Sequence, residues 1–398
     1  MINKDLTLKE IIDRYPELVY VFENKGIKGL DNALVMKQVG NMKLELILQN
    51  KKLNVETFVD LINETIENNK SEDITLVQKT FEEGKINVLG LLPCPVRMPL
   101  LEKFGEYEKI NDINHELKAA SEGLDWLAES VKGAKDASEL ADVYISAGFD
   151  LFFEEELMKK YKVANVFEDF TGIEEYNTDF ENDYMSLKDP SNDYSMLAVV
   201  PAVFLVNTKE LGDRPIPRTW SDLFNPIYEG SISLPVSDFD LFNAILIHLY
   251  KEFGSEACYK LGKSLVASMH PAQMVKSDKK GKRVKPAISI MPYFFTRMAL
   301  PGSVMEAVWP EDGAIISPIF MLTKKEKKEE IEDIAKMFAS KEIGEILSHK
   351  GLFPSIRKDV DNKLEGKKFK WIGWDYINSN DIGSILKECM DLFEKGMM

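Results

Sequence analysis

A thiol and a guanidinium stand three residues apart in Pro93-Cys-Pro-Val-Arg97, where an apolar strand pattern runs into a helical one. A cysteine at a helix N-terminus near a cation has a lowered pKa and can act as nucleophile or soft ligand. The plainer role of Cys94 is that of a small apolar filler. Arg97 offers a fixed fork of donors for an anion, or one half of an ion pair. The turns Ser121-Glu-Gly123 and Ser237-Asp238 have the same strand-to-helix form, and the strand Ala141–Ser146 ending at Gly148 adds Ser146 and Gly148. Unpaired N–H groups and a partial positive charge at such helix starts suit a carboxylate, a phosphate or another oxyanion. Plain N-capping is the commoner job for a serine there. Pro292-Tyr-Phe-Phe295 supplies an aromatic wall in Tyr293 and Phe294, with Trp309 and Asp312 as a further wall and acceptor, or as packing and turn.

The catalytic and metal signatures are missing. No GxSxG, no P-loop and no GxGxxG after a strand occurs, and Gly262-Lys-Ser264 lacks the upstream glycine of a phosphate loop. Three cysteines far apart and four isolated histidines form neither a disulfide framework nor a zinc knuckle. We therefore expect no catalytic residue, no resident metal and no cofactor. The 398 residues carry 66 acidic against 50 basic side chains, a net charge of −16. That surface repels phosphate backbones and anionic lipid, so nucleic acid is a poor partner. No run of about 20 apolar residues offers a membrane span. The first ten residues lack a basic stretch followed by an apolar run, which gives a cytoplasmic expectation, with an extracytoplasmic location as the alternative.

Several elements must position these residues. Thr7-Leu-Lys-Glu10 is a capping box ahead of Leu8, Ile11, Ile12 and Tyr15 at helical spacing, so residues 1–68 read as a helical module and 69–84 as linker. From Lys85, strands alternate with helices, the grammar of βαβ units and a mainly parallel sheet. Met196–Val206 and Gly313–Leu322 are long strands with a proline inside, Pro201 and Pro318, and each can leave one sheet for another. The expected layout is a two-lobe α/β chain: 85–200 with 318–398 in one lobe, 201–317 in the other. A cleft then falls where the strand C-termini of both sheets meet.

Pro217-Arg-Thr-Trp-Ser-Asp-Leu-Phe-Asn-Pro-Ile-Tyr-Glu-Gly230, followed by Ile232-Ser-Leu-Pro235, resembles a stretch of the iron(III)-type ABC-transporter solute-binding proteins. Trp309-Pro-Glu-Asp-Gly-Ala314 resembles a second segment of that family. The resemblance spans roughly 85–390 and implies the type 2 periplasmic-binding-protein fold, closing on a small solute. Ferric members of the family hold iron with two adjacent tyrosines, whereas Tyr293-Phe-Phe295 brings one phenol, and phenylalanine cannot ligate a hard cation. Residues 1–68 resemble a small helical domain of unknown function, without the cysteine that often follows its glycine turn. The expectation is a solute-binding protein for a small anionic ligand, without chemistry. An ABC-transporter permease, or another protein docked through the N-terminal module, is the further partner. The alternative is a cytoplasmic enzyme or cofactor-delivery protein on the same fold that uses Cys94.

Overall fold

The capping box forms. Thr7 Oγ1 accepts the Glu10 N–H at 3.2 Å, and the Glu10 carboxylate accepts the Thr7 N–H at 2.8 Å. It starts α1 (Leu8–Arg14), which α2 (Ala33–Val39) and α3 (Leu44–Asn50) follow. Leu8, Ile11, Phe22, Leu44, Leu48 and Ile62 bury one small core of their own. The computed structural model describes residues 2–15, 18, 22, 27, 30, 33–51, 55, 58–59, 62–63, 85–108, 112–120, 123–180, 185–236, 239–278, 284–299 and 302–398. The linker, and most of the expected helix at 18–22 and of the stripe at 58–66, lie outside these. The chain divides into two compact units, Met1–Gln78 and Lys79–Met398.

In the second unit the apolar run Ile86–Leu92 forms β1, and α4 (Arg97–Glu108) follows it after one tight turn at Cys94–Val96. Next come β2 (Ile113–Ala119), α5 (Asp125–Gly133), β3 (Val143–Ala147) and the short α6 (Phe149–Phe153). β4 (Ser195–Asn207) is the long strand expected from 196–206. β5 (Ile232–Leu234), α7 (Phe239–Phe253), α8 (Ser255–Ser264), β6 (Leu265–Ser268), β7 (Ile288–Pro292) and β8 (Met305–Val308) build the next layer. β9 (Ala314–Thr323) is the second long strand, and α9 (Lys328–Phe338), β10 (Phe369–Lys370) and α10 (Ile382–Met397) complete the chain.

The strands run in the order β2-β1-β3-β9-β4-β7-β5-β6. β1, β2 and β3 are mutually parallel, as are β5, β6 and β7, whereas β9 runs antiparallel to β3 and β4, and β4 antiparallel to β7. β4 pairs β9 through Ser195–Pro201 and β7 through Ala202–Val206, so it leaves one half-sheet and enters the other, and β9 crosses back beside it. Pro201 faces Ile316 and Pro318 faces Val199, on either side of the pair Val200–Ser317. Proline has no N–H to give a ladder. The crossing point is therefore poor in strand-to-strand hydrogen bonds, where the strands must bend from one lobe into the next.

One face of this sheet carries a single apolar cluster that runs through both lobes, from Tyr144, Phe152 and Met196 to Phe204, Ile245 and Ile290. The other face carries two separate clusters. One holds Val88, Val96, Leu117, Ile319, Ile334 and Phe353; the other holds Leu205, Met269, Met274, Val275 and Met291. A continuous core makes the back of this second unit, and the gap between its two smaller cores makes the crevice.

The C-terminal segment divides between the lobes, which corrects the expectation that 318–398 stays whole with the first. α9 buries Ile331, Ile334, Ala335 and Phe338 in the first lobe. β10 then pairs with the start of β9, and α10 lies along α7 and α8 of the second lobe. The stripe Ile382, Leu386, Cys389 and Phe393 is apolar at helical spacing, and it fills the open side of that helical layer.

Candidate functional site

The strand registers define the site. Leu92 lies opposite Ala119, and Gly90 opposite Ile145, so β1, β2 and β3 end together at one edge. In the second lobe Leu234 faces Ser268 while Ser233 faces Ser289, so β5, β6 and β7 also end together. The two edges face each other. Ala147, at the end of β3, pairs Ile319, which pairs Ala198; Pro292, at the end of β7, pairs Ala202. Four strand residues therefore separate the edges, about 13 Å at ~3.3 Å each. That width suits a small molecule, and the turns that follow the strands line it.

Cys94 is exposed in the turn after β1. Arg97 begins α4 but is buried, and its Nε and Nη2 donate to the Leu117 carbonyl at 3.3 and 3.1 Å. It therefore ties the end of β2 to the start of α4, so the expected anion clamp spends at least two donors on the protein itself. Gly123 has φ +86° and its N–H closes a turn on the Ala120 carbonyl. Gly148, with φ +139°, starts α6 in a conformation that L side chains rarely adopt. Ser146 is fully buried and donates to the Ala147 carbonyl at 2.7 Å, so it braces its own strand end. Ser121, Ser237 and Asp238 lie outside the described residues.

The aromatic wall divides between two faces. Pro292 ends β7, and Tyr293 to Met298 form a 3-10 helix of about two turns. The Tyr293 ring meets Trp309 edge-on at 5.2 Å, and Trp309 meets Phe369 at 5.3 Å while its Nε1 donates to the Lys368 carbonyl at 2.7 Å. Trp309 is thus held by β10 on the back of the sheet. Phe294 instead packs against Phe295 with the rings tilted and their centroids 4.1 Å apart, and it reaches Phe353 of the first lobe at 5.0 Å. Beside it Arg297 donates to the carbonyls of Lys350 and His349, each at 2.9 Å. This helix carries the contact of the two lobes across the crevice.

The two sequence stretches that carry the family resemblance lock into each other rather than into the crevice. Trp220 is fully buried, and its Nε1 donates to the Gly313 carbonyl at 2.9 Å. Asp222 accepts the N–H groups of Arg218 and Thr219 at 2.8 Å, and the Glu311 N–H donates to the Arg218 carbonyl at 2.7 Å. Asp312 lies 3.2 Å from the Lys370 ammonium. These residues hold the start of β9 in place.

Three residues at the crossing were not singled out from sequence. Asn243 on α7 donates to the Asp150 carboxylate on α6 at 2.8 Å, a hydrogen bond from one lobe to the other. Burial pushes the Asp150 carboxyl above its ordinary value, with the Asn243 bond opposing and the charge of Asp125 adding. The signal was available: each is a polar residue inside an apolar run, Phe149–Phe153 and Leu241–Leu249. Ser317 is fully buried and its hydroxyl has no partner. It pairs Val200, which packs against both the continuous core and the crevice-side core that Phe294 also meets. Among the described residues no group of three or more His, Cys, Asp or Glu could hold a metal ion, and no helix is long and apolar enough to cross a membrane.

Comparison with known proteins agrees with this geometry. Solved structures with the same fold include the apo ferric ion-binding protein A of Pasteurella haemolytica, at 15% identity and a TM-score of 0.58, covering 78% of this chain and 98% of that one. The periplasmic binding protein AfuA of Actinobacillus pleuropneumoniae, with fructose-6-phosphate bound, matches at 16% and 0.54, covering 79% of this chain and 99% of that one. The periplasmic binding protein P5PA matches at 16% and 0.57, covering 78% and 100%. No curated protein is similar enough in sequence to match. Residues 2–59 match a family described as a domain of unknown function. Residues 138–380, three-fifths of the chain and both crossing strands with them, match the family described as bacterial extracellular solute-binding protein. Two lobes, two crossings and a crevice at the strand ends are what such proteins require, and the chain belongs to that family of binding proteins rather than to an enzyme family.

Proposed function

We propose that this protein captures a small solute bearing an oxyanion group in the crevice between its lobes and hands it to an ABC-transporter permease outside the cytoplasm. The observation that carries the reading is the convergence of the two strand edges about 13 Å apart, with α4, α5 and α7 starting just beyond them. Helix starts direct unpaired N–H groups and partial positive charge at a ligand. α4 and α7, at 12 and 15 residues, are long enough for a developed dipole. The buried charge of Arg97 stands behind the first of these. Asp125 and Asp150 nearby favour a ligand that also carries hydroxyl or amide donors, as a sugar phosphate does.

Among the similar structures four are named for ferric ion or ferric iron and one holds a sugar phosphate. A single phenol in Tyr293-Phe-Phe295 fits the second chemistry better. The family's extracellular setting favours an extracytoplasmic site of action over the cytoplasmic expectation. Native extraction with mass spectrometry of the co-purified solute tests the reading. It is followed by calorimetric titration with sugar phosphates, inorganic phosphate, small carboxylates and ferric ion. Saturable one-to-one binding of an oxyanion supports it. Tight binding of chelate-free ferric ion with a tyrosinate charge-transfer band, and no response to any anion, would overturn it. Fractionation of cells that express the native gene tests the location.

A further inference from the structure

Cys258 and Cys389 are 131 positions apart in the chain and meet in the core of the second lobe. Both are fully buried. Their thiols address one acceptor, the Leu246 carbonyl, with Sγ at 3.7 Å for Cys258 and 4.0 Å for Cys389. Hydrogen bonding between the two thiols, followed by burial, pushes Cys389 well above its ordinary value. The helices that carry them are held unusually close. A Cβ on Gly262 would stand 2.1 Å from the Phe393 carbonyl oxygen, and one on Gly396 2.2 Å from that of Tyr259. Cys258 lies one turn before Gly262, and Cys389 one turn before Phe393. Close backbone approach is what a disulfide between two helices needs, since its Cα atoms must come within about 4.4–6.8 Å.

We propose that Cys258 and Cys389 are a disulfide-forming pair that fastens α10 to α8. The bond forms while α10 is undocked, since the docked thiols are shielded from solvent. The thiolate of Cys389 attacks an external disulfide, either a small-molecule disulfide or a disulfide-carrying oxidoreductase, and expels one thiolate. The thiolate of Cys258 then attacks the mixed disulfide and expels the second. Two protein thiols become one S–S bond, and two electrons and two protons leave on the two reduced thiols of the oxidant. An extracytoplasmic family supplies the compartment in which such bonds persist. Cys94, exposed on the crevice rim, takes no part.

The full-length protein is refolded from denaturant with oxidised glutathione or with a reductant, alkylated under denaturing conditions, and mapped by peptide mass spectrometry without reduction. The expected product of the oxidising arm has one alkylatable cysteine, Cys94, a mass lower by two hydrogen atoms before alkylation, and a linked peptide pair containing Cys258 and Cys389. Its midpoint of thermal unfolding lies roughly 5–10 °C above the reduced form. In Cys389→Ser, or in Cys258→Ser if the first fails to fold, the two arms melt together. Three alkylatable cysteines after oxidative refolding, or a linkage that runs through Cys94, would overturn the assignment. Because the readouts involve no solute, this test stands or fails apart from the reading of the crevice.

Discussion

Asp150 and Asn243 join the lobes with one hydrogen bond, and the carboxylate is the costly partner. Its raised pKa means that the folded state holds its proton more tightly than the unfolded chain does. That proton stabilises the fold below the ordinary carboxylate value, and the advantage is lost as pH climbs through the raised one. Asp150→Asn keeps an acceptor for Asn243 and removes the charge. We expect stability at neutral pH to be unchanged or higher by up to about 1 kcal/mol, with a flatter profile above pH 4, as read by urea unfolding across pH. Arg97 answers the reverse question. Removing its side chain leaves the buried Leu117 carbonyl without two donors, so Arg97→Ala is expected to cost about 1–3 kcal/mol in the same assay. Any loss of solute affinity would then come with a loss of stability, whereas a direct anion contact would weaken binding alone. Sequence reading found Arg97 as a donor fork but not its acceptor, because a carbonyl on a strand twenty residues away leaves no mark in the local pattern. Ser317 was invisible for a related reason: an orphan hydroxyl is defined by what fails to surround it.

At the scale of elements, local patterns told most of the story. The two long strands with a proline inside were readable as crossings, since a strand of that length exceeds one lobe and Pro201 and Pro318 interrupt its ladder. The apolar stripe of α10 was equally periodic, yet its partner was not readable. A stripe shows that a face is buried and says nothing about which lobe buries it. What fixed the partner is the fit of Gly262 and Gly396 against opposing carbonyls. Gly262→Ala tests that fit. It improves helix propensity, by about 1 kcal/mol for an exposed position, but forces a methyl into backbone. We expect a net loss of about 1–3 kcal/mol in chemical denaturation.

The unit Lys79–Met398 has one continuous core behind its sheet and a divided one in front. The continuous core on the back joins the lobes, while the crevice face has two cores bridged by Phe294 and Arg297. Closure should depend on that bridge. Phe294→Ala is expected to favour the open form, seen as a larger radius of gyration by small-angle scattering without solute. It should also weaken binding of the identified solute by roughly tenfold, through the population of the competent form. An unchanged radius with unchanged affinity would reduce Phe294 to surface packing. The motif that announced the family lies away from this machinery, which is why sequence pointed to the fold more firmly than to the site.

The path of α10 also has a temporal meaning. A ribosome delivers the second lobe's strands and α7 and α8 long before residues 382–397, and until those arrive Cys258, Leu261 and Phe242 lack the cover that α10 gives. Until α10 docks, the second lobe therefore lacks one side of its helical layer. A chain stopped after Asn380 should remain protease-sensitive and aggregate, and adding a synthetic peptide of residues 381–398 should restore protection.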